Sequence, residues 1–167
     1  MTAEERRAAI LDNLSRSAGP VSASALAGRF GVSRQVVVGD VALLRAGGAA
    51  IEATARGYVI RRRQEGLRRQ VACRHRGGEM EKELLIMVDN GCVVVDVIVE
   101  HPVYGQLTGA LGLASRYDVR QFILRSQAAQ PLSLLTEGVH LHTLCCPDEE
   151  AFRRVKAELA EAEFLLE

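Results

Sequence analysis

The sequence predicts an α+β chain, and three observations carry that expectation. The first 48 residues form three segments of helical period separated by Gly and Pro. The next twelve read as two short strands around a turn, and from about residue 68 strand-like and helix-like segments alternate.

At 167 residues the chain suits one ordinary domain or two small ones. Hydrophobic residues make up 48% and charged residues 25%, a globular rather than a disordered composition. The longest apolar runs, Val93–Val95 and Val97–Val99, are too short to cross a membrane. The opening Met1-Thr-Ala-Glu-Glu-Arg-Arg lacks the apolar core of a signal peptide, so a cytoplasmic protein with no membrane partner is expected. In a reducing compartment Cys73, Cys92, Cys145 and Cys146 are expected as thiols or ligands, not as a disulfide framework.

The formal net charge of zero conceals an asymmetry. Residues 1–70 carry 12 Arg against 6 acidic residues, whereas residues 71–167 carry 9 basic against 15 acidic ones. Halves of opposite sign suggest a polyanion-binding module joined to a part with a different task.

Element by element, Thr2 to Ser17 has Ala8, Ile10, Leu11 and Leu14 at helical spacing, and Thr2 with Glu5 resembles a capping box. Gly19-Pro20 breaks it. Ser22 can cap a second helix from Ala23 to about Phe30, with Leu26 and Phe30 on one face. Gly31-Val32 turns the chain, and Ser33 caps a third helix whose stripe is Val37, Val41 and Leu44. Gly47-Gly48 ends it. Residues 50–54 and 57–60 then read as a strand pair.

Three helices and a hairpin, with a short turn between helices two and three, define a winged helix-turn-helix. Its third helix can enter the major groove. Ser33, Arg34 and Gln35 open that helix: Arg pairs bidentately with guanine and Gln with adenine. Arg56 at the hairpin tip can reach phosphate or the minor groove. The alternative is a winged helix used only for protein contacts. Gly39, inside the third helix, costs about 1 kcal/mol relative to Ala, so tertiary packing must support that helix.

The expected domains are residues 1–62 and 68–167, with Arg61-Arg-Arg-Gln-Glu-Gly66 as a charged linker. In the second, Gln70–Arg74 reads as a strand, Gly78–Asp89 as a helix, and Cys92–Glu100 as a strand with Val93, Val95, Val97 and Val99 alternating. A strand at Leu107–Ala114, a helix from Arg116 to Gln127, a turn towards Gly138, a strand at Val139–Cys145 and a helix at Asp148–Ala162 follow, with Phe164-Leu-Leu as a closing strand. These make an α/β sandwich regulatory domain, a mostly antiparallel sheet with helices on one face.

The chain has four histidines, all in the second domain. His140 and His142, two apart in a strand, leave the same face. His75 at a strand end and Glu83 in the next helix can converge with them on one divalent transition metal, nickel or zinc. Cys73, Cys145 and Cys146 could compete as soft ligands or be small buried hydrophobes. His101-Pro-Val-Tyr104-Gly combines a titratable ring with an aromatic side chain at a strand end, and Arg116 can supply a cation for a carboxylate. The alternative for His101 and Tyr104 is a tight turn. No phosphate loop, nucleophile elbow or catalytic Cys–His pairing is present, so an enzyme is not expected.

Together these segments resemble the bacterial niacin-responsive transcriptional repressors, which join a winged helix to a three-histidine (3H) domain. The matching stretches include Ser33-Arg-Gln-Val-Val-Val-Gly-Asp-Val-Ala-Leu-Leu-Arg-Ala-Gly, Asp96-Val-Ile-Val-Glu-His-Pro-Val-Tyr-Gly and Pro131-Leu-Ser-Leu-Leu-Thr-Glu-Gly-Val-His-Leu-His-Thr. The resemblance spans Glu4 to the C-terminal helix. It implies a homodimer that binds double-stranded operator DNA with nicotinic acid as co-repressor, at genes of NAD synthesis or niacin uptake. It also implies a metal site, nickel favoured, on His75, Glu83, His140 and His142. Donors near His101 and Tyr104, or Arg116, would hold the effector. Gly39 departs from the longer side chain expected there.

Overall fold

The computed structural model describes residues 1–60 and 66–167; the linker residues Arg61 to Glu65 lie outside them. The chain divides into two compact units, residues 1–63 and 64–167.

The first unit holds α1 (Ala3–Arg16), α2 (Ala23–Phe30), α3 (Arg34–Ala46) and the antiparallel pair β1 (Ile51–Thr54) and β2 (Gly57–Ile60). Each helix starts on a side-chain cap: Thr2 with its reciprocal Glu5, then Ser22, then Ser33. Ile10, Leu14, Leu26, Val37, Val41 and Ile51 form the core, each removed from water at about 1.5–3 kcal/mol for the larger side chains. Ala8, read with the apolar stripe of α1, is instead exposed: it lies away from the face that Ile10 and Leu14 bury. Val21 joins the wing as a third short partner, exchanging two 2.8 Å backbone hydrogen bonds with Tyr58. Gly57 makes that approach possible, since a Cβ there would sit 2.5 Å from the Val21 carbonyl oxygen.

Asp40, an acid amid the apolar stripe of α3, is 4% exposed within the buried face of that helix. Arg6 of α1 grips it at 2.6 and 3.3 Å, and Arg7 stands 3.6 Å away. This ion pair ties α1 to α3, and α3 runs unbroken through Gly39.

The second unit holds β3 (Leu67–Arg74), α4 (Met80–Asp89), β4 (Val93–His101), β5 (Gly105–Leu113), α5 (Arg116–Ser126), a 3-10 turn (Leu132–Thr136), β6 (Val139–Cys146) and α6 (Glu149–Glu161). The sheet is wholly antiparallel in the order β3-β6-β4-β5. Helix α4 packs on β4 and between α5 and α6, burying Leu84, Met87, Val88, Val119, Val155 and Leu159. The closing strand expected at Phe164-Leu-Leu is reduced to a single bridge, Leu165 to Cys73, flanked by bonds from Arg74 to Phe164 and from Leu166 to Ala72.

The alternation expected along β4 also differs. Val94, Ile98 and Val99 are the buried positions, and the pairing shifts register between Val94 and Asp96. A β-bulge there inserts an unpaired residue, so the period-2 rule restarts beyond it. Val94 opposite Leu144 and Val97 opposite His142 therefore share the helix-covered face.

Candidate functional site

Strand β6 lies between β3 and β4, where His140 faces Cys73, and His142 faces Val71 on one side and Val97 on the other. Both imidazoles rise beneath α4, which brings down Glu83 with a side chain 0% exposed. A carboxylate among Leu84, Met87 and Val88 is costly unless it is paired. Its partners are three imidazoles. His75 Nε2 is 3.0 Å from Glu83 Oε2, His140 Nε2 is 3.0 Å from Oε1, and His142 Nε2 is 3.5 Å from Oε2. The rings stand edge to face, with centroids 4.9 Å apart for His75–His140 and 4.8 Å for His140–His142. Phe164 closes over His75 at 6.1 Å.

The other ring nitrogens fix the chemistry. His75 Nδ1 lies 2.9 Å from the Arg76 carbonyl, His140 Nδ1 2.8 Å from that of Gly138, and His142 Nδ1 2.7 Å from that of Asp96. A carbonyl only accepts, so each Nδ1 carries its proton and donates. Each Nε2 then turns towards carboxylate oxygens, which also only accept. Neutral imidazoles would thus oppose lone pair to lone pair. The arrangement calls for positive charge between Nε2 and Glu83, either extra protons on the rings or a cation bound by them. His75, Glu83 and His140 offer ligand atoms within 4.8 Å of one another, and the donor set of imidazole nitrogen and carboxylate oxygen suits a divalent transition metal.

Without an ion, the charges shift one another. Burial drives the Glu83 pKa upward, but hydrogen bonds from His140, His142 and His75 overcome this and hold it well below the usual carboxylate range. For His75, burial pulls downward, and the hydrogen bond and charge of Glu83 outweigh it, leaving the ring more basic than usual. Cys73 borders the cluster; burial first, and then Glu83, push its thiol far up and keep it protonated. All four cysteines are buried as free thiols, and Cys145 faces away from the imidazoles.

Two backbone features serve the site and were not legible in the sequence. The β4 bulge turns the Asp96 carbonyl to His142, while the Asp96 carboxylate accepts from Thr143 N at 3.0 Å. Gly138, at φ +89°, abuts the preceding strand end so closely that a Cβ would stand 2.2 Å from the His75 carbonyl oxygen. Its neighbour Glu137 also has positive φ, +52°.

The remaining sequence-selected residues fall elsewhere. His101 Nδ1 accepts from the backbone N–H groups of Val103 and Tyr104, both at 3.2 Å, and its ring stacks on Tyr104 at 4.9 Å. That is the tight-turn alternative, with Tyr104 74% exposed. Arg116 forms a bidentate pair with Asp89 at 2.6 Å. It follows the end of β5, where Leu113 faces Val94, whereas His101 faces Gly105 at the other end of the hairpin. Strand rise puts them on the order of 25 Å apart within the chain, so Arg116 and the His101–Tyr104 turn are alternatives for holding an effector and not one cluster. In the first unit, Ser33 Oγ accepts from Val36 N at 3.3 Å, and Arg34 and Gln35 are exposed in the first turn of α3. Arg56 sits in the wing turn, its N–H donating to Thr54 Oγ1 at 3.1 Å.

Fold and site together define a class: a helix-turn-helix module joined to a domain built round a buried His/Glu cluster. The helix-turn-helix domain model matches residues 6–59 and the 3H domain model matches residues 68–167. A probable transcription repressor NiaR from Thermotoga maritima is 46% identical over 166 residues, covering 98% of this chain and 95% of the relative. The transcription repressor NadR of Bacillus subtilis is 42% identical over 167 residues, covering 96% and 93%. The chain belongs to this family of 3H-domain transcription repressors. Among the described residues no helix is long and apolar enough to cross a membrane.

Proposed function

We propose that the chain is an effector-responsive repressor that binds double-stranded operator DNA, with nicotinic acid as co-repressor, at genes of NAD biosynthesis or niacin uptake. The observation that carries this reading is the convergence of three pinned imidazoles on one buried carboxylate, in a chain of this repressor family. His75, Glu83, His140 and His142 hold one divalent transition metal per chain, nickel in preference to zinc. The ion would supply the positive charge that the opposed lone pairs require, and the carbonyls of Arg76, Gly138 and Asp96 keep each Nε2 aimed inward.

Ser33 caps the recognition helix and presents its first N–H groups to phosphate, Arg34 and Gln35 read base edges, and Arg56 contacts the backbone or minor groove from the wing. The working unit is a homodimer, as a symmetric operator would require. Because the effector must bind the DNA-competent state better, DNA tightens effector binding by the same factor.

A gel-shift titration on operator DNA selected from a random-sequence pool tests this, using metal-loaded protein with and without nicotinic acid. Tighter binding with nicotinic acid and not with nicotinamide is expected; identical affinities would sink the co-repressor reading. A second reading, in which the ion is itself the signal, is favoured by how closed the cluster is, with Glu83 at 0% and His140 and His142 at 3% exposure. In that case operator affinity follows metal and chelator and ignores nicotinic acid.

A further inference from the structure

Within the helices of the described residues, glycine stands at Gly28 in α2 and at Gly39 in the middle of α3. Glycine is less favourable than Ala at either place. What calls for it in an ordered backbone is a left-handed turn, or a group that comes too close for a Cβ. Neither reason lies inside the chain at Gly39. Its backbone is helical, and a Cβ built there would meet nothing within 4 Å.

The rest of α3 shows from which side such a group would come. The helix buries Val37, Asp40 and Val41. At 3.6 residues per turn the opposite ridge carries Gln35, Gly39, Ala42 and Ala46, all exposed. Arg34 and Arg45 flank this ridge on one side; Val36 and Leu43, 38% and 59% exposed, flank it on the other. Beyond Gln35, nothing on the ridge is longer than a methyl group. This helix is the recognition helix of the helix-turn-helix matched over residues 6–59, the element that lies in the major groove with its first residues at the base edges. A long side chain at Gly39 would hold the helix off the groove floor, whereas glycine lets the backbone down onto it.

That approach favours an apolar contact. Val36 stands three positions before Gly39, so the two are neighbours on the helix surface. The apolar feature of the major groove is the C5-methyl group of thymine. Leu43 lies about 10 Å further along the axis from Val36, away from the end that reads bases.

We infer that Gly39 is a positioning residue for operator recognition, which lets α3 settle against the base edges and brings Val36 onto a thymine methyl beside the base pair that Gln35 reads. The inference rests on the reading of the chain as a repressor that enters operator DNA through α3.

Gel-shift titrations at fixed salt test it, using the full, metal-loaded chain with nicotinic acid present and the operator selected for wild type. Gly39→Ala should melt on the order of 4 °C higher than wild type, because Ala is the better helix former and has open space. Its operator affinity should nevertheless fall roughly tenfold, and that of Gly39→Leu roughly a hundredfold. Binding to a duplex of unrelated sequence should stay within about threefold, since phosphate contacts do not need the close approach. Gly28→Ala, in equally open surroundings, should gain stability and bind the operator as wild type does. Replacing single thymines by deoxyuridine removes the methyl group alone. At one position of the half-site this should weaken wild type roughly three- to tenfold and leave Val36→Ala unaffected.

Operator binding by Gly39→Ala as tight as that of wild type overturns the close approach, and so does an equal loss in Gly28→Ala. If no thymine distinguishes wild type from Val36→Ala, the methyl contact is overturned. Wild type that binds no duplex overturns the inference and the repressor reading together, whereas the other failures leave that reading standing.

Discussion

Glu83→Gln is the sharpest perturbation of the cluster, because it keeps the shape and removes the charge. Glu83 is 0% exposed and faces three Nε2 atoms at 3.0 to 3.5 Å, so in the metal-free chain the new amide can still donate to a ring lone pair. The loss should be that of charge-assisted hydrogen bonds, about 1.5–3 kcal/mol. Glu83→Ala removes every partner at once and should cost about 3–5 kcal/mol, the usual result of stranding one side of a buried pair. At about 4–8 °C per kcal/mol for a small domain, the Gln variant stays folded at room temperature while the Ala variant melts tens of degrees lower.

The two roles of the carboxylate separate when metal is added. An ion at 100 times its dissociation constant stabilises wild type by about 2.7 kcal/mol. Glu83→Gln has lost the one anionic ligand, so most of that gain should vanish although the fold is intact. Thermal melts of the three proteins, with chelator and with excess nickel or zinc, measure both quantities. If metal stabilises Glu83→Gln as much as wild type, the carboxylate is not a ligand. If metal stabilises neither, the cluster is a proton-sharing network and the metal reading fails.

Three further outcomes are expected. In chelator, the raised basicity of His75 contributes stability that is complete below its ordinary pKa of 6.5 and is lost as pH rises through the higher folded value; the lowered Glu83 contributes above the ordinary carboxylate range and fails only in strong acid. The metal-free chain should therefore melt higher near pH 6 than near pH 8. The metal-loaded chain should show the reverse, since protons compete for the same nitrogens; parallel trends in melts across that range would refute the shared site. Gly138→Ala places a Cβ against the His75 carbonyl at positive φ, so it should destabilise the second unit by more than about 1 kcal/mol, read by thermal melt, and weaken metal binding, read by metal titration. Asp40→Ala removes the carboxylate that Arg6 and Arg7 share and should lower the melt of the first unit while hydrogen exchange in residues 66–167 stays unchanged.

Features that act over a few residues were legible in the amino-acid order alone. Thr2, Ser22, Ser33 and Asp148 cap the helices they precede, and the Gly and Pro breaks fall where the helices of the first unit stop. The His-x-His spacing alone puts two imidazoles on one face of β6, because side chains alternate along any strand. Features that depend on register between distant segments emerge with the folded chain. The bulge at Val94–Asp96 redirects a carbonyl to His142 and resets the faces of β4, and an alternating valine run carries no mark of an inserted residue. The pairing of Arg6 with Asp40 spans 34 positions, and the only sign of it was an acid amid an apolar stripe. His101 and Arg116 lie close in sequence yet stand at opposite ends of a hairpin. His75 and Gly138, distant in sequence, are pressed together because antiparallel β3 and β6 bring the end of one to the start of the other. Local rules fix where elements begin and which way side chains leave them; which side chains meet is set by the long-range pairing of strands and the packing of helices across them.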